Sequence, residues 1–299
     1  DLPPLNDVSP TRHTRTGGWA TGKAFPEPLD DAGVHPLVAK PLTPTLQEAT
    51  DLIKLSETKN VYAAVEFHKR WDETNLLAHQ AISDGRLGDL RYITVEYSQR
   101  RLMQDVFESW LDRTNIFQYL GVHYVDLMYY LTRARPIRAV ATGQPYNPVS
   151  VAPQDLDSIQ ALIEWELPDS EQRFVSTIVT NWIDPNSTSA MSDQKITLVG
   201  TEGRYQIDQK NRGAQLVTQD GSIEDVNPYF SQIYRGVDGI PRVHGDGPRS
   251  ITQFLTDVLA IVSGHSQIED LTHQRPSFYE CLPSTAVIES VHRSLRENS

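Results

Sequence analysis

The 299-residue chain contains one cysteine, Cys281, which excludes an internal disulfide and fits a reducing compartment. No apolar run approaches the roughly 18 residues that a membrane span requires. A secretory start with a basic segment and an apolar core is also missing, and Asp1 stands where an initiator Met is expected, so an incomplete chain is the expectation. Positive charge is scarce: 27 Lys and Arg face 39 Asp and Glu, a formal charge of −12. That balance argues against broad capture of nucleic acid or of an anionic membrane, while leaving room for a local basic pocket. Clustered metal ligands are lacking too, because the histidines are dispersed and a lone cysteine builds no thiolate site. What remains reads as a cytoplasmic globular protein, with 38% apolar and 22% charged residues. It is long enough for one large core or two ordinary domains.

Prolines 3, 4, 10, 26, 28 and 36 and the pair Gly17-Gly18 make the first segment a poor source of regular elements. Order is expected from Val34. Residues 34–40 form a short strand, Thr43-Pro44 caps a helix carrying Leu46, Ala49, Leu52, Ile53 and Ser56, and Val61 to Phe67 is a second strand. This order suits a parallel α/β layer. His68-Lys69-Arg70-Trp71 then lies beyond the C-terminal end of a strand, where loop groups converge on ligands in parallel sheets. Asp72 caps a further helix with Leu76, Leu77, Gln80 and Ala81 on its inner side and Gly85 at its end.

Downstream the pattern turns to strands: 90–99, 137–146, 158–167, 174–182, 195–199 and 204–208, the last two joined by Gly200-Thr-Glu-Gly203. They predict an open, mainly antiparallel sheet of about six strands with helices on one face and the other face available to a homo-oligomer. Residues 187–193 read as a polar loop and 236–247 as a mobile rim loop. Helices are expected from Arg249 to Val262 and from Ser284 to Leu295, with apolar faces that close the core.

Two residues carry the chemistry. Lys40, in Val38-Ala-Lys40-Pro41-Leu42, can donate to an alcohol or carbonyl oxygen while keeping its charge. His123, in Gly121-Val-His123-Tyr-Val-Asp126, can exchange a proton near neutral pH.

With Asp31-Ala-Gly33-Val-His35 and Val199-Gly-Thr-Glu-Gly203-Arg-Tyr, these motifs resemble the Gfo/Idh/MocA oxidoreductase family from about Val34 to the end. The resemblance implies a partial Rossmann-like nucleotide-binding domain over residues 1–67. A substrate-binding and oligomerisation α/β domain with an open, mainly antiparallel sheet then covers 68–299. It implies NAD or NADP as cofactor, with Pro10, Thr11, His13, Lys40 and Pro41 toward it. A sugar, cyclitol or related polyol is the implied substrate, contacted by Lys69, Arg70, Tyr119, Asp126 and Trp182, although sealing a sheet edge is the commoner task of such a tryptophan. Lys40 would stabilise alkoxide character and His123 would take the alcohol proton.

This sequence departs from the family at three points. No Gly-x-Gly-x-x-Gly fingerprint occurs. Ala39 replaces the glutamate usual before the lysine, and Tyr119 stands where an aspartate often precedes the histidine by four residues. They keep open a noncatalytic sugar-binding or oligomeric regulatory protein, beside NAD-assisted glycoside cleavage.

Overall fold

The structure, a computed structural model, describes residues 33–106, 111, 114–146, 155–168, 170–227, 229 and 232–297. It opens with β1 (Leu37–Ala39), α1 (Leu46–Thr58) and β2 (Ala64–Glu66), the two strands pairing in parallel. Both strands are shorter than their sequence runs. Val61 N–H bonds back to the Ser56 carbonyl and Tyr62 N–H to His35 Nδ1, so neither joins the ladder. The cap of α1 is Thr45 rather than Thr43: its side chain accepts from Glu48 N–H and its hydroxyl donates to the Glu48 carboxylate at 2.8 Å. Ala49, Leu52, Ile53 and Ser56 are the buried face of α1.

A single 3-10 turn, His68–Trp71, follows β2 and leads into α2 (Glu73–Ser83), capped by Asp72. The buried face of α2 is Asn75, Ala78 and Ala81, whereas Leu76 and Leu77 are exposed. The Asn75 amide donates to the Lys69 carbonyl at 2.8 Å, and that bond sets the helix phase against the leucines. Gly85 ends the helix with φ of +70°, a conformation that glycine adopts without strain.

The larger layer contains β3 (Leu90–Arg100), then the short α3 (Leu102–Val106) and α4 (Val122–Thr132), then β4 (Arg135–Gln144), β5 (Ser158–Glu166), β6 (Arg173–Asp184), β7 (Ser192–Gly200) and β8 (Arg204–Asp208). The six strands form one open sheet in the order β4-β5-β6-β3-β7-β8; β3 and β6 run parallel and every other pair antiparallel. The expected architecture, a partial Rossmann-like layer followed by an open, mainly antiparallel sheet, is therefore observed. The imperfect alternation at the start of β3 has a cause in a register shift between Leu90 and Tyr92. Gly200 is required where β7 meets the loop before β3, since a Cβ there would stand 2.0 Å from the Leu87 carbonyl oxygen.

Strand alternation buries Ile159, Ala161, Ile163 and Trp165 on one face of β5 and leaves Leu162 exposed on the other. The covered face packs against α4 and the C-terminal α7 (Leu282–Glu297) in one apolar core. A second core joins α1 and β2 to Val122, Phe278, Cys281 and Ile288, so α4 and α7 contribute to both.

Beyond β8, the hairpin β9 (Ala214–Val217)/β10 (Ile223–Val226) precedes a second one, β11 (Gln232–Arg235)/β12 (Pro241–His244). The expected rim loop at 236–247 is thus mostly hairpin and helix start. Gly239, at φ of +74°, makes the turn, and Pro241 sits in a two-stranded hairpin that tolerates its missing N–H. Helix α5 (Asp246–Val262) starts earlier than expected, and α6 (Ile268–Thr272) follows. Phe254 of α5 is buried, but Ile251, Leu255 and Leu259 are exposed. The apolar pattern of α5 therefore closes a core only in part: Phe254, Val258 and Ile261 pack with Tyr62, Ala64 and Leu271, while the other apolar positions point outward. Among the described residues, no helix is long and apolar enough to cross a membrane.

Candidate functional site

The strands of the small layer end at one cleft. Lys40 follows β1 directly, across a cis bond to Pro41, and Glu66 closes β2. A turn of π-helix, Phe117–Gly121, widens the entry to α4 and puts Tyr119 beside Lys40. Gly121 belongs to this turn because a Cβ would press on the Phe117 ring at 2.7 Å. The Lys40 ammonium donates to the Tyr119 carbonyl and lies 4.0 Å from the centre of the Tyr119 ring. Burial pushes its pKa down to about 7, with Glu66 opposing the shift and Lys69 reinforcing it.

His123 is buried in the first turn of α4, and its Nδ1 has no hydrogen-bond partner. Burial first, then the charges of Lys40, His68 and Lys69, hold it well below the ordinary histidine value. A neutral imidazole with an unengaged ring nitrogen can accept a proton. Its ring lies 4.7 Å from that of His68, tilted by 57°, with Phe67 edge-on at 6.2 Å. His68 Nδ1 in turn meets the Glu66 carboxylate at 3.0 Å.

The other residues expected at the site divide into two groups. Lys69 is buried near the Tyr97 and Tyr124 rings, at 5.5 and 5.3 Å, and burial lowers its pKa while Asp246 and Asp72 oppose the shift. Tyr119 lines the cleft beside Lys40. Arg70 and Asp126 instead engage each other in a buried bidentate pair, at 2.5 and 2.8 Å, with the guanidinium over the Tyr130 ring at 5.3 Å. Although burial works against the charged form, Asp126 raises the pKa of Arg70. This pair braces α4 against the turn after β2. Trp182 is buried, its indole N–H donates to Asp157 at 2.7 Å, and its ring centre lies 6.3 Å from that of Tyr119, behind the site wall. Pro10, Thr11 and His13 lie outside the described residues.

Sequence reasoning passed over Glu66, Gln99, Gln209 and Asp246, and named His68 only as part of the cluster after the strand. Glu66 and His68 carried a signal, an acid and an imidazole ending an otherwise apolar strand. Asp246 is brought in from far along the chain by the start of α5; burial raises its pKa, and His68 and Lys69 oppose that shift. Gln99 Oε1 and Gln209 Nε2 are buried without hydrogen-bond partners. Among the described residues no group of His, Cys, Asp and Glu is arranged to hold a metal ion. A separate surface cleft of about 370 Å³ lies at the other end of β2, lined by residues including Asn60, Tyr62, His273 and Tyr279.

Residues 76–206 match the GFO/IDH/MocA C-terminal domain. An uncharacterised oxidoreductase of Schizosaccharomyces pombe is 27% identical over 179 residues, covering 58% of this chain and 46% of that protein. The scyllo-inositol 2-dehydrogenase (NADP(+)) of Bacillus subtilis is 31% identical over 99 residues, 32% of this chain and 27% of that enzyme. These matches span less than half the length of either relative. An inositol dehydrogenase homologue from Azotobacter vinelandii, solved with NADH and myo-inositol, shares the fold with a TM-score of 0.67 at 17% identity, over 90% of this chain and 71% of that one. The chain therefore carries, over residues 76–206, a domain that matches the GFO/IDH/MocA C-terminal domain, and it shares the fold of the inositol dehydrogenase homologue.

Proposed function

We propose that the chain provides the substrate side of an NAD(P)-dependent oxidoreductase acting on a sugar, cyclitol or related polyol, with Lys40 and His123 at the reacting carbon. The observation that carries this reading is the pairing of a half-buried ammonium with a buried, neutral imidazole whose Nδ1 is unengaged. Both follow the chemistry an alcohol needs. Lys40 orients the hydroxyl and stabilises negative charge as it forms on oxygen, and His123 takes the hydroxyl proton. Gln99 and Gln209, each with an unengaged buried amide atom, are suited to a ligand rich in hydroxyls. The inositol enzymes among the relatives support that substrate class.

The described residues fit the reactive end of a nicotinamide dinucleotide, which would lie against Lys40 and Pro41, with Pro10, Thr11 and His13 assigned to the same role from sequence. When bound, it accepts or returns the hydride. The nucleotide-binding layer would end near Phe67, where β2 gives way to the charged turn. The uncovered face of the large sheet, with Tyr92, Val140 and Leu162 exposed, supports a homo-oligomer formed there. A cytoplasmic setting belongs to this reading.

The test is turnover of a polyol panel with NAD and NADP by the complete protein. Lys40→Met is expected to cost roughly 10²–10⁴ in turnover. His123→Asn should mainly damage the pH-dependent proton step. Near-normal turnover in both variants would sink the assignment. Sugar binding without turnover would favour a noncatalytic sugar-binding protein, a reading that Tyr119 supports by offering no carboxylate to His123. Release of a leaving sugar would favour glycoside cleavage.

A further inference from the structure

We propose that Glu66 and His68 are positioning residues for His123: Glu66 orients the His68 imidazole, and His68 sets the protonation of His123 and carries its proton toward solvent. The inference deepens the function proposed above, because it rests on His123 being the proton acceptor.

A buried imidazole that takes a proton in each turnover must also lose it, and the surroundings of His123 leave few routes. Asp126, on the same helix, is held by both guanidinium contacts of Arg70. Asp72, at the start of α2, is held by Arg212 and Thr74. Tyr119 supplies no carboxylate, and Lys40 and Lys69 bring positive charge, which opposes an imidazolium. Asp246, at the start of α5, faces His68 and Lys69.

The ring of His68 lies against His123, tilted by 57° with 4.7 Å between centres, and its Nδ1 is tied to Glu66 at 3.0 Å. Exposure rises along the same line. His123 is 4% exposed, while the His68 and Glu66 side chains are 15% and 24% exposed. Burial works against the Glu66 carboxylate, yet its bonds from His68 and Ser250 hold its pKa below the usual range, so it remains an anion.

The proton balance is simple. The substrate O–H bond breaks and its proton goes to a ring nitrogen of His123. His123 returns to neutral by passing a proton to His68, which carries it as an imidazolium against Glu66 and releases it to water. The hydride leaves separately, to the nicotinamide dinucleotide of the proposed reaction.

The test is an NMR titration of the imidazoles in the chain itself, with His68→Asn, Glu66→Gln and the double variant. In the parent chain, His123 should take up its proton well below the ordinary histidine range. Loss of the neighbouring positive charge in His68→Asn should raise the proton affinity of His123 about tenfold. Glu66→Gln should change the His123 titration only while His68 is present. His68→Gln gives the same reading should the asparagine variant fail to fold. An unchanged His123 titration in a folded His68 variant overturns the dyad, as does an equal Glu66→Gln effect with and without His68. The titration needs no turnover, so coupling in a protein that oxidises no polyol would remove the catalytic reading and leave the electrostatic pairing standing.

Discussion

The large sheet and the cleft at the end of β2 bury polar groups on unequal terms. Under the sheet, the Trp165 indole N–H donates to Ser176 at 2.8 Å, the Thr180 hydroxyl donates to the Ile159 carbonyl at 3.3 Å, and Ala141 N–H donates to Ser294 at 2.9 Å. In the cleft, His123 Nδ1, Gln99 Oε1 and Gln209 Nε2 are buried with no hydrogen-bond partner, and on the sheet side Asp193 Oδ1 of β7 and His292 Nε2 of α7 share that condition. An unsatisfied buried polar atom costs about 1–3 kcal/mol, so the cleft, with three such atoms close together, concentrates a cost that is scattered elsewhere. The contrast teaches where a ligand would supply the missing bonds.

Three substitutions press on that contrast, in decreasing order of effect on stability. Trp165→Ala should be the most damaging, at about 3–5 kcal/mol in urea unfolding, because it opens a cavity in a filled core and strands the Ser176 hydroxyl. A loss under about 1 kcal/mol would mean that the sheet core is not the stabilising half.

Lys40 should act in the opposite sense. Its pKa is near 7 in the folded chain against 10.5 unfolded, so between those values the unfolded state binds the extra proton and stability rises with pH. Lys40→Met should remove that rise and leave the protein no less stable at pH 7. Loss of stability on substitution, with the pH slope intact, would show that the ammonium is a structural strut.

Leu162→Glu, on the uncovered sheet face, should change monomer stability by less than about 0.5 kcal/mol. It should lower the assembled mass in light scattering. A parent chain that is already monomeric would remove the oligomer proposal.

The sheet was legible because its strands are buried on one side only. Ile159, Ala161, Ile163 and Trp165 mark β5 by simple alternation. Helix faces were less so: the adjacent Leu76 and Leu77 suggested an inner side for α2 that the Asn75 bond to Lys69 overrides. The apolar stripe of α5 was visible, but not that Ile251, Leu255 and Leu259 point outward. The hairpins β9 to β12 carry exposed residues on both faces and so leave little alternation to read. At the site, Lys40 and His123 sit in local motifs, whereas Asp246 and Gln209 enter through tertiary packing. Arg70 looked like a substrate contact because the chain alone does not reveal that Asp126 occupies its guanidinium.

The most direct measurement is a chemical-shift map of the chain titrated with myo-inositol, with and without NADH. The candidate site at the C-terminal end of β2 and the cleft at its other end offer the alternatives. The account predicts shifts at Lys40, Tyr119 and His123 that disappear in Lys40→Met and His123→Asn. Shifts confined to the cleft lined by Asn60, His273 and Tyr279, and unaffected by those substitutions, would contradict it.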